Sequence, residues 1–513
     1  VRASEVRRKA YFALVVDDAR GEPTSAVAED PAAGRKDARP APRAFPVAAF
    51  TVALGLRALT VAFAPVAPAW DGVIYARAAE QIARGEGYTQ RSLDERAPAR
   101  ATAFYPVGFP AVLAALRVTG LGARLDLWLQ AFAGAALVPL GWALGRRAAG
   151  ARAGHLAAWV LALWPGGVLL SLAYLAEPLF ALGAALALSP MLYARRRRRV
   201  VALMFTATGL GVVAYLRPVA LPIAAFTALG VVALRARPAW TRGRVARARA
   251  VVAGCAVLAP AAALVIAPLL PWAVRNARLL GAPVLVSTNG GANLLLGTYG
   301  RGGYGAIPAA DDCPNGMREV ERDQCRHARA RARIAADPVA WFARGALKVL
   351  DTFGHESSPA HYLGEALRLP RNAAARVVPP TLALCRVWWL GVLACALAGA
   401  VALSRRRAGV AHVVIFAPVL ALGALHFVYI GGDRYHAAVM PMIAALAGVG
   451  LAGWTRRRSS SRARRVSGRV LRLPPRDGRD SAPPMDATRS PAARRFGGLD
   501  PARGEERRLI RPA

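Results

Sequence analysis

The residues of this chain that could do chemistry begin with Asp71, in the stretch AWDGVIYARAAEQIARGEGY. A lone carboxylate just after an apolar run suits a general base, because substrates can enter there and the acid is in reach of their protons. The same residue could instead cap the helix that follows, satisfying free backbone N–H groups and doing no chemistry. Glu177, in YLAEPLF, is a second acid, suited to hold an acceptor or a metal, or simply to sit favourably at a helix N-terminus. Three arginines lie at the ends of other apolar runs: Arg217 in YLRPVALP, Arg275 in PWAVRN and Arg434 in DRYH. Guanidinium groups grip phosphate through paired donors. At a membrane interface they also snorkel and neutralise anionic lipid. Asn276, Tyr435 and His436 directly follow Arg275 and Arg434.

A glycine-rich string, VLVSTNGGANLLLGTYGRGGYG (284–305), adds neutral hydrogen-bonding groups at Ser287, Thr288, Asn289 and Asn293. Glycine lets backbone approach a ligand closely, and amides and hydroxyls suit sugar hydroxyls. The string lacks the spacing of a nucleotide P-loop. Of five cysteines, Cys255, Cys385 and Cys395 lie in apolar runs and read as small core residues. Cys313 and Cys325 lie in a long polar segment; outside the cell they could pair, closing a loop worth about 3 kcal/mol. A metal site built from Asp311, Asp312, Cys313, Cys325 and His327 matches no standard zinc spacing.

The elements that must position these groups are helices in a bilayer. The 513 residues are 55% hydrophobic, and the apolar residues fall in runs near the roughly 20-residue length of a membrane crossing. The runs lie at about 46–66, 125–145, 153–170, 174–193, 200–216, 218–234, 250–271, 381–403, 409–430 and 436–454. The expected fold is therefore an all-α polytopic membrane protein with about ten transmembrane helices and helices in its outer loops.

The net charge of +38, from 68 Lys+Arg against 30 Asp+Glu, sits in arginine blocks such as RRRRR at 195–199. These blocks follow the even-numbered runs, the pattern of cytoplasmic loops and not of a nucleic-acid surface. With the N-terminus inside, Asp71, Glu177 and the three arginines all face the opposite, extracytoplasmic side. Ionisable groups beside the bilayer are costly, so five such ends on one face point to one functional site.

Two outer segments are long, 67–124 and 272–380. In the first, the helix after Asp71 should lie on the membrane surface with its apolar side down, and FYPVGFPAVLAAL should re-enter without crossing. In the second, a helical run from Arg326 to Phe353 is interrupted at Pro338. Arg57, inside the first apolar run, should pair with an acid in the bundle. Residues 1–45 read as a disordered cytoplasmic arm with no cleavable signal peptide, 46–454 as the membrane domain, and 455–513 as a basic disordered cytoplasmic tail.

Together these strings resemble the GT-C superfamily of membrane glycosyltransferases, of the family-39 type. That type includes dolichyl-phosphate-mannose–protein mannosyltransferases and bacterial aminoarabinose transferases. WDGVIYARAAEQIARGEGY, YPVGFPAVLAAL, YLAEPLF, YLRPVALP, PWAVRNARLLGAPVLVSTNGGANLLLGT, ADPVAWFARGALKVLDTF and DRYHAAVMP occur in family order across about 46–454.

The resemblance implies a cell-membrane enzyme with an outward-facing active site and a polyprenyl-phosphate sugar donor. Nothing in the spacing requires a cofactor; a divalent metal is compatible, with Asp71 and Glu177 as its ligands. The resemblance assigns the base to Asp71 and matches Lys348 to a lysine common in the helix after the outer loop. The protein mannosyltransferases usually carry an Asp-Glu pair where this chain has Asp71 and Gly72, which weighs against a protein acceptor. The expected reaction is transfer of the sugar to an acceptor hydroxyl with inversion, Arg217, Arg275 and Arg434 stabilising the departing phosphate. A transporter or flippase of lipid-linked sugars is the rival, since it too would hold lipid phosphate with arginine; a non-catalytic scaffold using the basic tail is a third reading.

Overall fold

The computed structural model describes residues 45–470, except 122, 123, 241, 304 and 315. The chain divides into two units, Val1–Arg458 and Ser459–Ala513. Everything below concerns the first. The predicted arm falls almost wholly outside the described residues, as does the tail beyond 470. The last helix, Met440–Val470, runs into what composition predicts as a tail without fixed structure.

The described residues form helices and no strands, with one isolated bridge between Thr89 and Ala101. Helix α1 (Val47–Phe63) precedes the first outer segment, which holds α2 (Asp71–Ala83) and α3 (Gly108–Val118). Then come α4 (Leu125–Ala149), α5 (Ala151–Ala162), α6 (Pro165–Leu170), α7 (Glu177–Tyr193), α8 (Arg199–Val213), α9 (Ala220–Trp240), α10 (Arg244–Ile266) and α11 (Leu270–Leu280). The second outer segment carries α12 (Gly290–Leu296), α13 (Glu319–Ala336), α14 (Pro338–Phe353) and α15 (Ser358–Ala366). Helices α16 (Arg371–Ser404), α17 (Val410–Val428) and α18 (Met440–Val470) complete the bundle.

Among the described residues, six helical stretches are long and apolar enough to cross a membrane: Leu125–Ala149, Ala220–Pro238, Arg244–Leu280, Arg371–Ser404, Val410–Val428 and Asp433–Thr455. Four of the ten predicted crossings appear as shorter helices. The run at 153–170 is broken at Trp164–Pro165, where proline ends one hydrogen-bond ladder and starts another. Runs 174–193 and 200–216 flank the arginine block and give helices of 17 and 15 residues, and the first run gives 17. Ten crossings would require counting those four.

Local chemistry sets the helix ends. Gly150, at φ +95, makes the tight turn between α4 and α5, a backbone region where side chains are strained. Beyond the turn the two helices meet at Gly145, where a Cβ would strike the Ala153 carbonyl, so only small residues permit that approach. Asp337 caps α14 by accepting from the Ala340 N–H at 2.9 Å, and Pro338 supplies its first turn.

Two expectations change here. The apolar side of α2 does not face lipid: Tyr75, Ala78 and Ala79 are buried, and the Tyr75 ring meets Phe109 of α3 edge-on at 5.3 Å. The 11 residues of α3 give a helix too short to cross, and it becomes the partner that α2 packs on. Among the described residues Arg57 finds no acid. It is fully buried and donates to the carbonyls of Ala53 at 3.0 Å and Leu161 at 3.4 Å, beside Gly134, where carbonyls reach it and no carboxylate does.

At the end of the bundle that carries the arginine blocks, Arg406 donates to the Ala148 carbonyl and Arg147 lies over the Tyr193 ring. The acids and the site arginines gather at the other end.

Candidate active site

Helix α2 starts from an unusual backbone. Trp70, just before Asp71, has φ +47, a conformation costing a non-glycine residue about 1–3 kcal/mol. Its ring meets Tyr362 of α15 edge-on at 4.4 Å. Asp71 is not the cap, since that position is Trp70 and no side chain bonds there. Its carboxylate instead takes Arg434 Nη2 on Oδ2 at 2.5 Å and the Tyr105 hydroxyl on Oδ1 at 3.3 Å. Burial and the neighbouring Asp71 push the Tyr105 phenol well above its ordinary value, so it remains a protonated donor. Gly72 gives a physical reason for the missing second acid. A Cβ there would lie 3.0 Å from Tyr174 Cβ and 3.2 Å from its carbonyl, so a glutamate would not fit without a shift.

Arg434 stands on a 3₁₀ helix, Asp433–Val439. Asp433 anchors that helix by accepting from the Ser357 and Ser358 N–H groups and the Ser358 hydroxyl. The Arg434 guanidinium reaches Asp71, the Tyr362 hydroxyl and Glu177, whose Oε1 lies 3.6 Å from Nε. Glu177 begins α7, is fully buried, and forms an ion pair with Arg217 Nη2 at 3.2 Å without a hydrogen bond between them. A bare buried carboxylate would be very costly; two guanidinium groups offset that cost. The result is an alternating row: Asp71, Arg434, Glu177, Arg217. Tyr435 supports both cations, with Arg217 at 5.1 Å and Arg434 at 5.3 Å from its ring centre, and itself stacks on His426 at 4.4 Å.

A cavity of about 720 Å³ opens against this row. Asp71, Arg217, Arg434 and Tyr435 line one part of it, and Ser287, Asn289 and Asn293 of the glycine-rich string line another. Leu216, Leu221, Leu422 and Leu425 give it an apolar wall. Ser287 donates to Asn289 Oδ1 at 2.9 Å, which orients that amide. The space thus offers a carboxylate, two guanidinium groups, neutral polar groups and an oily surface together.

Four predicted site residues, Arg275, Asn276, His436 and Glu177, are not among those lining it. Arg275 donates to the backbone carbonyls of Thr102 at 2.9 Å and Tyr88 at 3.2 Å, and to Asn276 Oδ1 at 2.8 Å. Asn276 is buried and donates to the Val284 carbonyl at 2.8 Å. Arg275 ties the outer segments together, and Asn276 holds it to the Val284 backbone. His436 stacks on Trp389 at 3.8 Å and bonds to the Thr352 carbonyl and Glu356, well packed beneath the site. Glu177 lies behind the guanidinium groups and does not line the cavity either. Cys313 and Cys325 are joined in a disulfide with Cα atoms 6.3 Å apart, in the outer segment. Lys348 is buried, donates to the Val428 carbonyl at 3.0 Å, and is pushed down to about 8 by burial. It braces the end of α17 and does not line the cavity.

Sequence reasoning passed over Tyr105, Tyr362, His426 and Glu319. Tyr105 stood inside the quoted string FYPVGFP, so an aromatic hydroxyl in an outer loop was a usable signal. Glu319 binds the Thr102 hydroxyl at 2.6 Å, the Ala103 N–H at 2.8 Å and the Thr288 hydroxyl at 2.7 Å, which no spacing reveals.

Asp71 and Glu177 were the candidate metal ligands. Both face Arg434, so a divalent cation would have to displace that guanidinium. Among the described residues no group of three or more His, Cys, Asp or Glu is placed to hold a metal. As arranged, the two carboxylates hold guanidinium groups.

No protein-family model matches the chain, and no curated protein sequence matches it. Solved structures that resemble it include the following. The oligosaccharyltransferase AglB from Archaeoglobus fulgidus, in complex with an inhibitory peptide and a dolichol-phosphate, is 16% identical, with a TM-score of 0.41, over 85% of this chain and 52% of its own. The Archaeoglobus fulgidus oligosaccharyltransferase with Zn and sulfate is 15% identical, with a TM-score of 0.41, over 79% of this chain and 48% of its own. ArnT from Cupriavidus metallidurans, bound to undecaprenyl phosphate, is 17% identical, with a TM-score of 0.33, over 79% of this chain and 77% of its own. The chain spans about half the length of the oligosaccharyltransferase. Likeness at that level leaves the chemistry to be argued from the site's own residues.

Proposed function

We propose that this protein is a membrane glycosyltransferase that moves a sugar from a polyprenyl-phosphate donor to an acceptor hydroxyl on the extracytoplasmic face of the cell membrane. One observation carries the reading: a carboxylate and two guanidinium groups line a cavity whose other wall is leucine-rich. A phosphate on a lipid tail needs both kinds of surface, and a hydroxyl nucleophile needs the carboxylate. The disulfide in the outer segment and the arginine blocks at the opposite end favour the same orientation.

In this mechanism the lipid tail lies along the leucines and the phosphate against Arg217 and Arg434. Asp71 takes the proton of the acceptor hydroxyl as its oxygen attacks the anomeric carbon from the face opposite the phosphate. The configuration inverts. The leaving group departs as a phosphate monoester, so it needs positive charge more than it needs a proton, and the two guanidinium groups supply that charge. Asn289 and Asn293 are placed to hold sugar or acceptor hydroxyls.

The test is donor consumption. Purified protein in proteoliposomes should convert a labelled polyprenyl-phosphate sugar to polyprenyl phosphate when given an extract of envelope acceptors. Movement of the intact donor across the bilayer without cleavage would replace this reading with a transporter.

A further inference from the structure

The base proposed above is occupied. Each oxygen of Asp71 already accepts a hydrogen bond, Oδ2 from Arg434 Nη2 at 2.5 Å and Oδ1 from the Tyr105 hydroxyl at 3.3 Å. Each oxygen keeps a further lone pair, but a proton arriving on Oδ2 competes with the Arg434 guanidinium for the same negative charge. The two acids and two guanidinium groups of the row also sum to zero charge, so a phosphate entering the cavity finds both cations already balanced.

The two acids differ in a way that resolves this. Glu177 is fully buried, does not line the cavity and touches both guanidinium groups from behind. Asp71 lines the cavity, with 23% of its side chain exposed. Glu177 is therefore a fixed anchor, and Asp71 is the partner that can be exchanged. The Tyr362 hydroxyl gives Arg434 a further neutral hold. Arg434 can change what Nη2 binds without leaving its place, because a planar guanidinium presents several donors around one centre.

Resting on the reading of a phosphate-linked donor, we propose that Arg434 is a switch between Asp71 and the donor. The incoming phosphate takes the Nη2 hydrogen bond from Asp71, and the freed Oδ2 becomes the proton acceptor. The phosphate drives the exchange by competing with the carboxylate for the guanidinium. The acceptor O–H proton then passes to Oδ2 as the acceptor oxygen bonds to the anomeric carbon. The anomeric C–O bond to phosphate breaks with its electron pair on phosphate, and polyprenyl phosphate remains as a dianion against Arg217 and Arg434. Asp71 gives its proton to solvent and re-pairs with Arg434 when the product leaves. The base is thus armed only when the donor is seated, which orders the reaction: donor first, acceptor second.

The experiment uses the full chain in lipid nanodiscs with two probes, undecaprenyl phosphate and inorganic phosphate. Binding is measured directly, and infrared difference spectra follow the carboxylate stretch that disappears in Asp71→Asn. A structure of the undecaprenyl phosphate complex reads the same exchange without any variant. Binding with a shifted Asp71 band, and Nη2 moved from Oδ2 to a phosphate oxygen, supports the switch. The same shift with inorganic phosphate supports it too, and assigns it to the headgroup alone. Binding of undecaprenyl phosphate with an unchanged band and Arg434 still on Asp71 overturns the switch and leaves the proposed function standing. Failure of undecaprenyl phosphate to bind overturns both.

Discussion

Two sets of arginines stand at the same end of the bundle and do different work. Arg217 and Arg434 pair with carboxylates and line the cavity; Arg275 pairs with carbonyls and does not line it. All three follow an apolar run in the sequence, and all three read as phosphate ligands there. The partner decides the role. A guanidinium held by acids keeps an ionic field at the cavity that an anion can enter. A guanidinium spent on the backbone carbonyls of Tyr88 and Thr102 becomes a rivet, and its charge is spread over loop dipoles. Glu319 is the acidic counterpart of that rivet, joining residues 102, 103 and 288 of the two outer segments.

The largest test of this contrast is Asp71→Asn, which should cut transfer about 10²–10⁴-fold while the protein still folds in the membrane. Near-normal turnover would remove Asp71 from the base role and blur the two regions. Next is Arg434→Ala. It strips a cation from two carboxylates, one fully buried, and should cost about 3–5 kcal/mol in thermal or denaturant unfolding. Retained stability would mean the row of charges is not what holds this corner.

Arg275→Ala should be milder, losing about 1.5–3 kcal/mol. Its outer segments should become more open to protease while the affinity for undecaprenyl phosphate stays unchanged. A large loss of that affinity would move Arg275 into the phosphate site and erase the distinction drawn above.

The smallest effect concerns the corner after α14. Hydrogen bonds to Asp351 and then Asp433 raise His355 to about 9, from an ordinary 6.5. A histidine raised on folding lends stability that is complete below about pH 6.5 and fades as pH rises through about 9. The melting temperature should fall across that window, and His355→Gln should flatten the fall. An identical pH profile in the variant would assign the loss to another group.

Much of the architecture was legible because a bilayer imposes a simple rule on sequence: long apolar runs become helices. The break at Pro165 and the short helices near the arginine block blurred the count, since proline and clustered charge shorten a helix without erasing its apolar pattern. At the site, Asp71, Arg217, Arg434, Tyr435, Asn289 and Asn293 could be picked out as polar groups where polarity is costly, and they line one cavity. His436 carried the same signal and went to a packed cluster with Trp389 and Glu356 instead. Arg57 carried it and settled on carbonyls. A polar residue in an apolar run announces that it needs a partner; it does not say which.

The amino-acid sequence alone determined that this chain builds apolar helices, that its acids and isolated arginines gather at one end, and that its arginine blocks gather at the other. Those are properties of composition along a line, and water and hydrocarbon sort them regardless of detail. Only the tertiary structure decided that Asp71 meets Arg434 across 363 residues of chain, that Glu177 sits behind and not inside the cavity, and that Arg275 ties loops. Hydrogen bonds and ion pairs act over a few ångströms, and which groups come that close depends on how every helix packs.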